Sequence, residues 1–510
     1  MANVVIFTGS SRINKKGQSL GYGPGSSISR PLGAYQIAAI LRNKGYTVQV
    51  IDYYWHIINR PEKFVKIVRK YITPETLWVG WSNTFFEGSR LNDKGLYDPY
   101  VQQMQKAIGL TEKGITFIKE WCNSQNPNIK FVCGGAKSWR WSQQKFKFFD
   151  YFVTGYADAT AVALTDFLAG KTKNLDTVDN LNGSKSINYD QKGQLFDFNN
   201  HKHVWHKTDH LGKGTSLPIE ISRGCIFRCS YCNFPLNGKK KMEYIRDANK
   251  IIDELNYNYE NFGVTHYMYS DDTHNDSVDK LEFLYENVYS KLDYKISFST
   301  YLRLDLLCAH PHTIQLLKDS GLVGTFFGIE SLNQNANKVI GKSAPTDKIL
   351  DNLHMVRDVW KNDVIINVGL IIGLKNDSEA IVREWLPKIL NKNSPIDHAA
   401  IAPLQLLPVK DAEPHWQNNM ELNTEKYGYT FDDNGVWTNN MGMSQYDAQR
   451  IAEEFNAYLV KEKGKIKHWF DPHRASALSL NLNQYYTYKY PELLNIEKEK
   501  IERYINDLLQ

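Results

Sequence analysis

The segment "PIEISRGCIFRCSYC", residues 218–232, contains three of the six cysteines of this 510-residue chain. Three residues separate Cys225 from Cys229, and two residues separate Cys229 from Cys232. A short apolar stretch precedes them, as is typical of a buried parallel strand. In a reducing compartment, half of a chain's thiols gathered in one loop indicate a metal or redox site rather than disulfides.

Two kinds of metal site fit three clustered thiols. A zinc site usually takes two C-x-x-C pairs, or cysteines with histidines at fixed spacing, and no fourth thiol lies near this group. A cluster of four irons held by three cysteines keeps one iron open for a substrate or cofactor. A non-catalytic, zinc-stabilised binding protein is therefore an alternative to an iron–sulfur enzyme.

Strand and helix patterns alternate on both sides of the cysteine segment. Residues 215–410 contain six apolar strand patterns between helical ones, which predicts a partial (β/α)6 barrel with its active site at the carboxyl ends of the strands. Residues 1–172 alternate similarly and predict an N-terminal doubly wound parallel sheet, so the fold class is α/β. We expect residues 173–214 to be a linker. Residues 411–510 are expected to form a mainly helical C-terminal extension that could cap the barrel.

The composition is that of a globular protein, with 42% hydrophobic and 23% charged residues. The net charge of +5 is small for this length and is spread along the chain, so it gives no clear signal for nucleic-acid binding. The chain opens directly on a strand pattern, and no apolar stretch is long enough to cross a bilayer. We therefore expect a cytoplasmic protein with no membrane partner.

The spacing C-x-x-x-C-x-aromatic-C, with Tyr231 as the aromatic residue, resembles the radical S-adenosylmethionine (SAM) superfamily. The resemblance implies that Cys225, Cys229 and Cys232 are the catalytic residues that hold a 4Fe–4S cluster. It implies that the open iron takes the amino and carboxylate groups of SAM. One electron then cleaves SAM to methionine and a 5′-deoxyadenosyl radical, and a donor such as flavodoxin or ferredoxin would supply that electron.

The same resemblance assigns SAM-binding roles to the ends of the later barrel strands. The segment 270–273 stands where the family often has G-G-E, and "STYLRLD" supplies an arginine for the SAM carboxylate. "FGIES" resembles G-x-E-S, whereas "GLIIGLKND" resembles G-x-I-x-G-x-x-E without its glutamate. The predicted cofactor-binding residues of the barrel are Tyr231, Asp271, Asp272, Arg303, Glu330, Gly369, Gly373 and Gln405.

The first domain resembles the cobalamin-binding domain that precedes many radical SAM enzymes. The segments that carry this resemblance are P-L-G at 31–33, G-G at 134–135, and Gly155 followed by Asp158 in place of the usual glutamate. No D-x-H-x-x-G motif is present, so no histidine is assigned below the cobalt. The residues predicted to contact cobalamin are Leu32, Gly33, Ser82, Gly134, Gly135 and Gly155.

Two alternatives for this first domain stay open. A nicotinamide dinucleotide is disfavoured because the "GYGPG" glycines lie deep in a long loop rather than in a compact G-x-G-x-x-G turn. The other alternative is a degenerate domain that is kept as a scaffold.

The remaining cysteines and the clustered histidines have simpler interpretations. Cys122, Cys133 and Cys308 lie in or beside apolar stretches and are expected to be buried structural thiols. Only two of them fall in the first domain, which disfavours a methylthiotransferase with a second cluster. Four histidines in "HKHVWHKTDH", residues 201–210, could hold a metal, but a polar linker explains them equally well.

The two resemblances together imply a radical SAM enzyme that depends on cobalamin and transfers a methyl group to an unactivated carbon. One alternative keeps the barrel and its cluster without cobalamin, for a cyclisation, a rearrangement or an oxidation. The zinc-stabilised binding protein is the alternative from another class. The substrate itself is not indicated by any motif.

Overall fold

A computed structural model describes most of the chain. It covers residues 2–9, 29–82, 113–135, 138, 148–153, 155–187, 195–212, 214–232, 238–342, 345–391, 393–406, 418–433, 435–461, 476–488 and 490–510. The "GYGPG" glycines lie outside these ranges. Among the described residues, one compact unit comprises the chain up to Lys213 together with Pro491–Gln510, and a second comprises Gly214–Tyr490.

The first unit is built on a seven-stranded sheet with the order β2-β1-β3-β4-β5-β7-β6. All neighbouring strands are parallel except β6, which runs antiparallel to β7. Every residue of β1 and β2 is buried, as strands of a parallel sheet covered on both faces should be. The strands are β1 (Val4–Phe7), β2 (Val48–Ile51), β3 (Trp78–Ser82), β4 (Lys130–Gly134), β5 (Tyr151–Val153), β6 (Thr177–Asp179) and β7 (Lys185–Ile187).

Helices between these strands cover the sheet, which gives the doubly wound arrangement that the alternating pattern predicts. They are Leu32–Asn43, Tyr54–Ile58, Pro61–Tyr71, residues 113–125 and Asp158–Leu168. Strands β6 and β7 lie within residues 173–214, the stretch expected to be a linker, and they extend the first sheet beyond β5.

The helix Tyr490–Leu509 also belongs to the first unit, although it comes at the end of the chain. The Tyr504 hydroxyl accepts a hydrogen bond from the Asp52 backbone N–H at 2.9 Å and donates one to the Val50 carbonyl at 3.2 Å. Both partners lie at the carboxyl end of β2. This helix therefore covers an edge of the first sheet.

The second unit is built on six parallel strands paired in sequence order, from β8 at one edge to β13 at the other. This arrangement agrees with the predicted partial (β/α)6 barrel. The strands are β8 (Leu217–Ile219), β9 (His266–Tyr269), β10 (Ser297–Leu302), β11 (Leu322–Glu330), β12 (Ile365–Ile372) and β13 (His398–Pro403). The helices that separate them are Ala248–Phe262, Val278–Asn287, Leu304–Ala309, His312–Asp319, Gln334–Val339, Ile349–Trp360 and Glu379–Leu390.

Polar caps define where several of these helices begin. The Asp247 carboxylate accepts from two backbone N–H groups at the start of Ala248–Phe262, and Gly263 ends that helix with a φ of 63°. Ser277 caps Val278–Asn287 in the same way through the Lys280 backbone N–H. These caps fix where each strand-to-helix loop ends, and the loops at that edge carry the candidate site.

The C-terminal segment adds a small antiparallel hairpin and further helices. The hairpin pairs β14 (Tyr429–Phe431) with β15 (Trp437–Asn439). The helices of this segment are Asn419–Leu422, Gln445–Lys461 and Leu482–Thr487. Within the described ranges, no helix combines the length and apolar character that spanning a membrane requires.

Candidate active site

The cysteine segment forms a loop directly after β8. Gly224 opens it with a φ of 105°, a conformation that side-chain-bearing residues rarely adopt. The Cys225 carbonyl then accepts hydrogen bonds from the N–H groups of Gly238 at 2.7 Å and Lys239 at 3.1 Å, and the Cys232 N–H donates to the Cys229 carbonyl at 3.1 Å. The returning chain therefore holds the loop in place.

All three motif cysteines are free thiols that line one cavity of about 170 Å³ at the carboxyl ends of the barrel strands. Burial raises the pKa of the Cys225 thiol, whereas Cys229 and Cys232 are half-buried. The cavity is also lined by Phe227, Tyr231, Asp272, Thr273, Tyr301, Leu302, Arg303, Phe326, Gly328, Glu330 and Lys342. The sequence-predicted residues Tyr231, Asp272, Arg303 and Glu330 thus meet at the cysteines.

This arrangement fits a cluster better than a single ion. Within the described part of the chain, no three Cys, His, Asp or Glu groups converge closely enough to hold one metal ion. The ligands of a four-iron cluster stand apart, one at each corner, and three thiolates leave the fourth iron to another ligand. The donor set therefore fits a 4Fe–4S cluster and does not support the zinc alternative.

Glu330 ends β11 in an unusual backbone conformation. Its φ of 65° lies in the left-handed region, and the pairing register with β12 shifts between Gly328 and Glu330. Such strain persists only where the surroundings enforce it, and it is found most often at functional sites. The Glu330 carboxylate accepts from the Tyr231 hydroxyl at 2.6 Å and pairs with the Lys342 ammonium at 3.0 Å.

Arg303 follows β10 and is held on several sides. Its guanidinium forms two hydrogen bonds with Asp305, from Nε at 3.0 Å and from Nη2 at 2.6 Å. The Arg303 Cζ atom lies 3.9 Å from the centre of the Phe227 ring, and Nη1 donates to Cys229 Sγ at 3.7 Å. The predicted partner for the SAM carboxylate is therefore rigid and next to a cluster ligand.

Asp271, which the sequence analysis predicts to bind cofactor, instead has both carboxylate oxygens engaged inside the unit. Oδ1 accepts from the backbone N–H groups of Ile221 at 2.8 Å and Ser222 at 3.0 Å. Oδ2 lies 3.2 Å from His274 Nδ1 and 3.5 Å from the Lys280 ammonium. Burial alone would raise the pKa of Asp271, but Lys280 and His274 bring it down to about 2. Its carboxylate ties the cysteine loop to the end of β9.

Asp272 differs from Asp271 in its position and in the direction of its pKa shift. Its side chain lines the cavity, and burial, together with the negative charges of Glu220 and Asp271, raises its pKa to about 7. A carboxylate that is costly to ionise is stabilised by a hydrogen-bond donor placed beside it. Asp272 therefore fits the predicted amino end of SAM.

Two predicted residues in and just after β12 have aromatic neighbours, and the predicted residue after β13 is exposed. A Cβ on Gly369 would lie 2.6 Å from the Phe326 ring, so this glycine makes room for that ring beside the cavity. Gly373 has a φ of 96°, and the Trp437 ring fills the space over it. Gln405 is exposed. The hairpin holding Trp437 is too distant in sequence for local patterns to place it there.

Two residues of the cavity region were missed by the sequence analysis. Lys342 lines the cavity and pairs with Glu330, and its only local signal is the glycine before it. Lys280 is completely buried and contacts the Ser222 hydroxyl at 2.7 Å and the Thr273 carbonyl at 3.0 Å. Its pairing with Asp276 at the i, i+4 spacing is a signal that could have singled it out.

The glycines predicted to contact cobalamin lie at the carboxyl edge of the first sheet or at the start of the helix that follows β1. A Cβ on Gly33 would meet nothing within 4 Å, and one on Gly134 would meet only the Val153 carbonyl at 3.8 Å. Gly135 and Gly155 have φ values of 112° and 99°. Leu32 and Ser82 are half-buried at the same edge. The edge therefore offers backbone that a large ligand could approach closely, which fits cobalamin.

The other cysteines and the clustered histidines have structural surroundings. Burial raises the pKa of the Cys122 thiol to about 12 and that of Cys308 to about 11, while Cys133 is fully buried. His203 Nδ1 lies 3.0 Å from the Gln36 amide oxygen, and His206 Nδ1 lies 2.8 Å from the Thr208 hydroxyl. These residues serve packing and hydrogen bonding in the first unit or, for Cys308, the second.

The sequence of residues 219–386 matches the radical SAM superfamily. Among proteins with curated functions, none matches this chain.

Two solved structures of the radical SAM methyltransferase TsrM from Kitasatospora setae share this fold. The first, with tryptophan substrate and the SAM analogue aza-SAM bound, has a TM-score of 0.60 and 12% identity, and the alignment covers 98% of this chain and 99% of TsrM. The second, with cobalamin and a [4Fe-4S] cluster bound, has a TM-score of 0.56 and 14% identity, with 100% and 99% covered. Both units of this chain therefore have counterparts in one solved enzyme.

The cobalamin-dependent SAM radical enzyme OxsB is also similar. Its structure with aqua-cobalamin and SAM bound has a TM-score of 0.52 and 13% identity, and the alignment covers 100% of this chain and 72% of OxsB. At these identities the likeness establishes a common fold.

Proposed function

We propose that this chain, a member of the radical SAM superfamily by its residues 219–386, is a cobalamin-dependent methyltransferase that acts on an unactivated carbon. Cys225, Cys229 and Cys232 would hold the 4Fe–4S cluster, and the cavity beside them would hold SAM. The first unit would bind cobalamin at the carboxyl edge of its sheet.

One observation carries the proposal for the second unit. The three cysteines share a cavity with two acidic and two basic side chains, Asp272, Glu330, Arg303 and Lys342. The amino-acid end of SAM carries an amino group that donates hydrogen bonds and a carboxylate that accepts them, so acidic and basic side chains are both needed beside the open iron. A buried structural thiol group would not require these charges.

The roles of the individual side chains follow from their contacts. Asp272 would accept from the amino group of SAM, because its side chain lines the cavity and burial makes its own charge costly. Arg303 would bind the carboxylate through a charge-assisted bond. Tyr231 and Lys342 fix the carboxylate of Glu330, which offers a second acidic contact. The rings of Phe227 and Phe326 line the cavity and exclude water from it.

When bound, the cluster supplies the electron that cleaves SAM, and cobalamin supplies the carrier of the methyl group. The likeness to TsrM and OxsB over both units supports the cobalamin part of the proposal. The open backbone at Gly33 and Gly134 supports it independently.

A radical SAM reaction needs a reductant, and we assign that role to a low-potential one-electron protein such as flavodoxin or ferredoxin. We also place the protein in the cytoplasm, where cysteine thiols stay reduced and available to iron. An anaerobic pull-down with each reductant, followed by measurement of cluster reduction, tests the first assignment.

Anaerobic reconstitution tests the cluster. About four irons per chain are expected, with reductive cleavage of SAM to 5′-deoxyadenosine. Cys229→Ala should abolish this cleavage because it removes one thiolate ligand. Cys308→Ala is the matched control, since Cys308 is a half-buried thiol of the same unit outside the motif. Full SAM cleavage by the Cys229→Ala protein would refute the assignment.

Reconstitution with hydroxocobalamin, gel filtration and an absorption spectrum test the first unit. Gly134→Leu should prevent cobalamin from co-eluting without lowering the iron content, because the new side chain projects from the open edge of the sheet. Ala169→Leu is the control, since it adds similar bulk to an exposed position just beyond the opposite end of helix Asp158–Leu168. If cobalamin elutes free from the unmodified protein while the cluster is intact, the methyl-transfer proposal fails, and a radical SAM reaction without cobalamin takes its place.

A further inference from the structure

We propose that Arg303 sets the reduction potential of the cluster through the sulfur of Cys229. This inference rests on the proposed function, since it takes Cys225, Cys229 and Cys232 as the cluster ligands. It gives Arg303 a role in the protein without SAM, separate from the carboxylate contact assigned above.

The backbone of Arg303 is fixed by one neighbouring amide. Its N–H donates to Asn275 Oδ1 at 2.8 Å, and its carbonyl accepts from Asn275 Nδ2 at 2.9 Å. Asn275 itself is 2% exposed. The Arg303 backbone, from which the side chain projects, therefore cannot move without breaking two buried hydrogen bonds.

The orientation of the guanidinium is fixed in turn. Asp305 takes the Nε and Nη2 donors, and the Phe227 ring covers one face of the guanidinium plane. These contacts direct Nη1 toward Cys229 Sγ, 3.7 Å away. Arg303 is only 9% exposed, so water screens its charge weakly.

The contact at the neighbouring cysteine is made by an uncharged group. The Thr273 hydroxyl lies 3.5 Å from Cys225 Sγ, but it donates its single proton to the Asp272 carbonyl at 2.7 Å. With its proton held there, the hydroxyl gives a Cys225 thiolate no hydrogen bond. Of these two contacts, the one from Arg303 to Cys229 donates a hydrogen bond and can therefore stabilise negative charge on the sulfur.

The physical effect follows from charge. Reduction adds one electron to the cluster from an external one-electron donor, with no proton taken up, so the reduced form carries one more negative charge. A cation and a hydrogen-bond donor at a ligand sulfur stabilise that form and raise the potential. Arg303 would in this way make the cluster easier to reduce before SAM binds.

The test is a redox titration of the reconstituted, SAM-free protein. The electron paramagnetic resonance signal of the reduced cluster is the readout. Arg303→Gln should lower the ratio of reduced to oxidised cluster at fixed potential at least threefold, which for a one-electron couple is a fall of about 28 mV. Arg228→Gln is the matched control. It removes the same charge from the position before Cys229, but Arg228 is exposed and its guanidinium lies against Gly238.

The outcomes separate the two proposals. If neither variant nor the unmodified protein forms a four-iron cluster, the proposed function fails. If the clusters form and Arg303→Gln shifts the potential no more than Arg228→Gln, the tuning role alone is overturned. Should Arg303→Gln fail to assemble a cluster, Arg303→Met decides, because it removes the charge and the donor but keeps an unbranched side chain that can pack on Phe227. A fall in its potential supports the proposal, and an unchanged potential overturns it.

Discussion

Two adjacent carboxylates, Asp271 and Asp272, should respond to the same substitution in opposite ways. Asp271 is fully buried against Lys280 and two backbone N–H groups, whereas Asp272 lines the cavity. Replacing Asp271 with Asn leaves the buried Lys280 ammonium with Asp276 as its remaining anionic partner, at 3.5 Å. Removing one partner of a buried ion pair typically costs about 3–5 kcal/mol, and we expect a loss of this size for Asp271→Asn.

For Asp272→Asn we expect no loss in the free energy of unfolding. The pKa of Asp272 is raised to about 7, so its ionisation opposes folding as the pH rises from about 4 to 7. The amide has no such cost, and the variant should be at least as stable as the unmodified protein at pH 8. It should nevertheless bind SAM at least tenfold more weakly, because the amino group of SAM loses its anionic partner.

Urea unfolding, monitored by hydrogen-exchange mass spectrometry on peptides from helix Ala248–Phe262, measures the change in stability of the second unit alone. Asp279→Asn serves as the control for charge removal, since Asp279 is 54% exposed and such pairs contribute about 1 kcal/mol or less. A loss below 1 kcal/mol for Asp271→Asn would refute the structural role given to that residue. A loss of stability for Asp272→Asn at pH 8 would refute its assignment to the cavity.

Three further outcomes are expected from the same site. Arg303→Ala and Glu330→Ala should each weaken SAM binding at least tenfold, since a charge-assisted bond contributes about 1.5–3 kcal/mol; calorimetry showing unchanged affinity in both would remove them from the site. SAM affinity should rise from pH 6 to pH 8 as Asp272 ionises, and Asp272→Asn should abolish this rise in a pH series of binding titrations. Trp437→Ala should lower the free energy of unfolding by about 3–5 kcal/mol in urea, against less than 0.5 kcal/mol for the exposed Tyr446→Ala.

Patterns that act over a few residues predicted most of the architecture. The apolar run that forms β1 is visible in the sequence, because a strand covered on both faces is typically apolar throughout. The cysteine spacing located the cavity, and the order of strand ends located Arg303 and Glu330 within it. These features depend on residues that are close in sequence, so they can be recognised before the fold is known.

Features that depend on distant partners were not predictable in this way. Strands β6 and β7 are short and partly polar, and they are strands because β5 leaves an edge for β7 to pair with. The burial of Lys280 depends on Asp271 and Asp276 being brought to it. Likewise Gly373 resembled a nucleotide contact in sequence, but Trp437, which lies in a hairpin of the C-terminal segment, occupies the space above it.

The helix Tyr490–Leu509 has a consequence for biosynthesis. It completes the first unit, yet it leaves the ribosome only after the whole of Gly214–Tyr490 has been made. At about 5–20 residues per second, those roughly 280 residues take roughly 15–55 s to synthesise. During that interval the end of β2 lacks the Tyr504 contacts at Asp52 and Val50. The nascent first unit is therefore exposed to chaperones and proteases until this helix has been made, and a ribosome that stalls before it leaves the first unit incomplete.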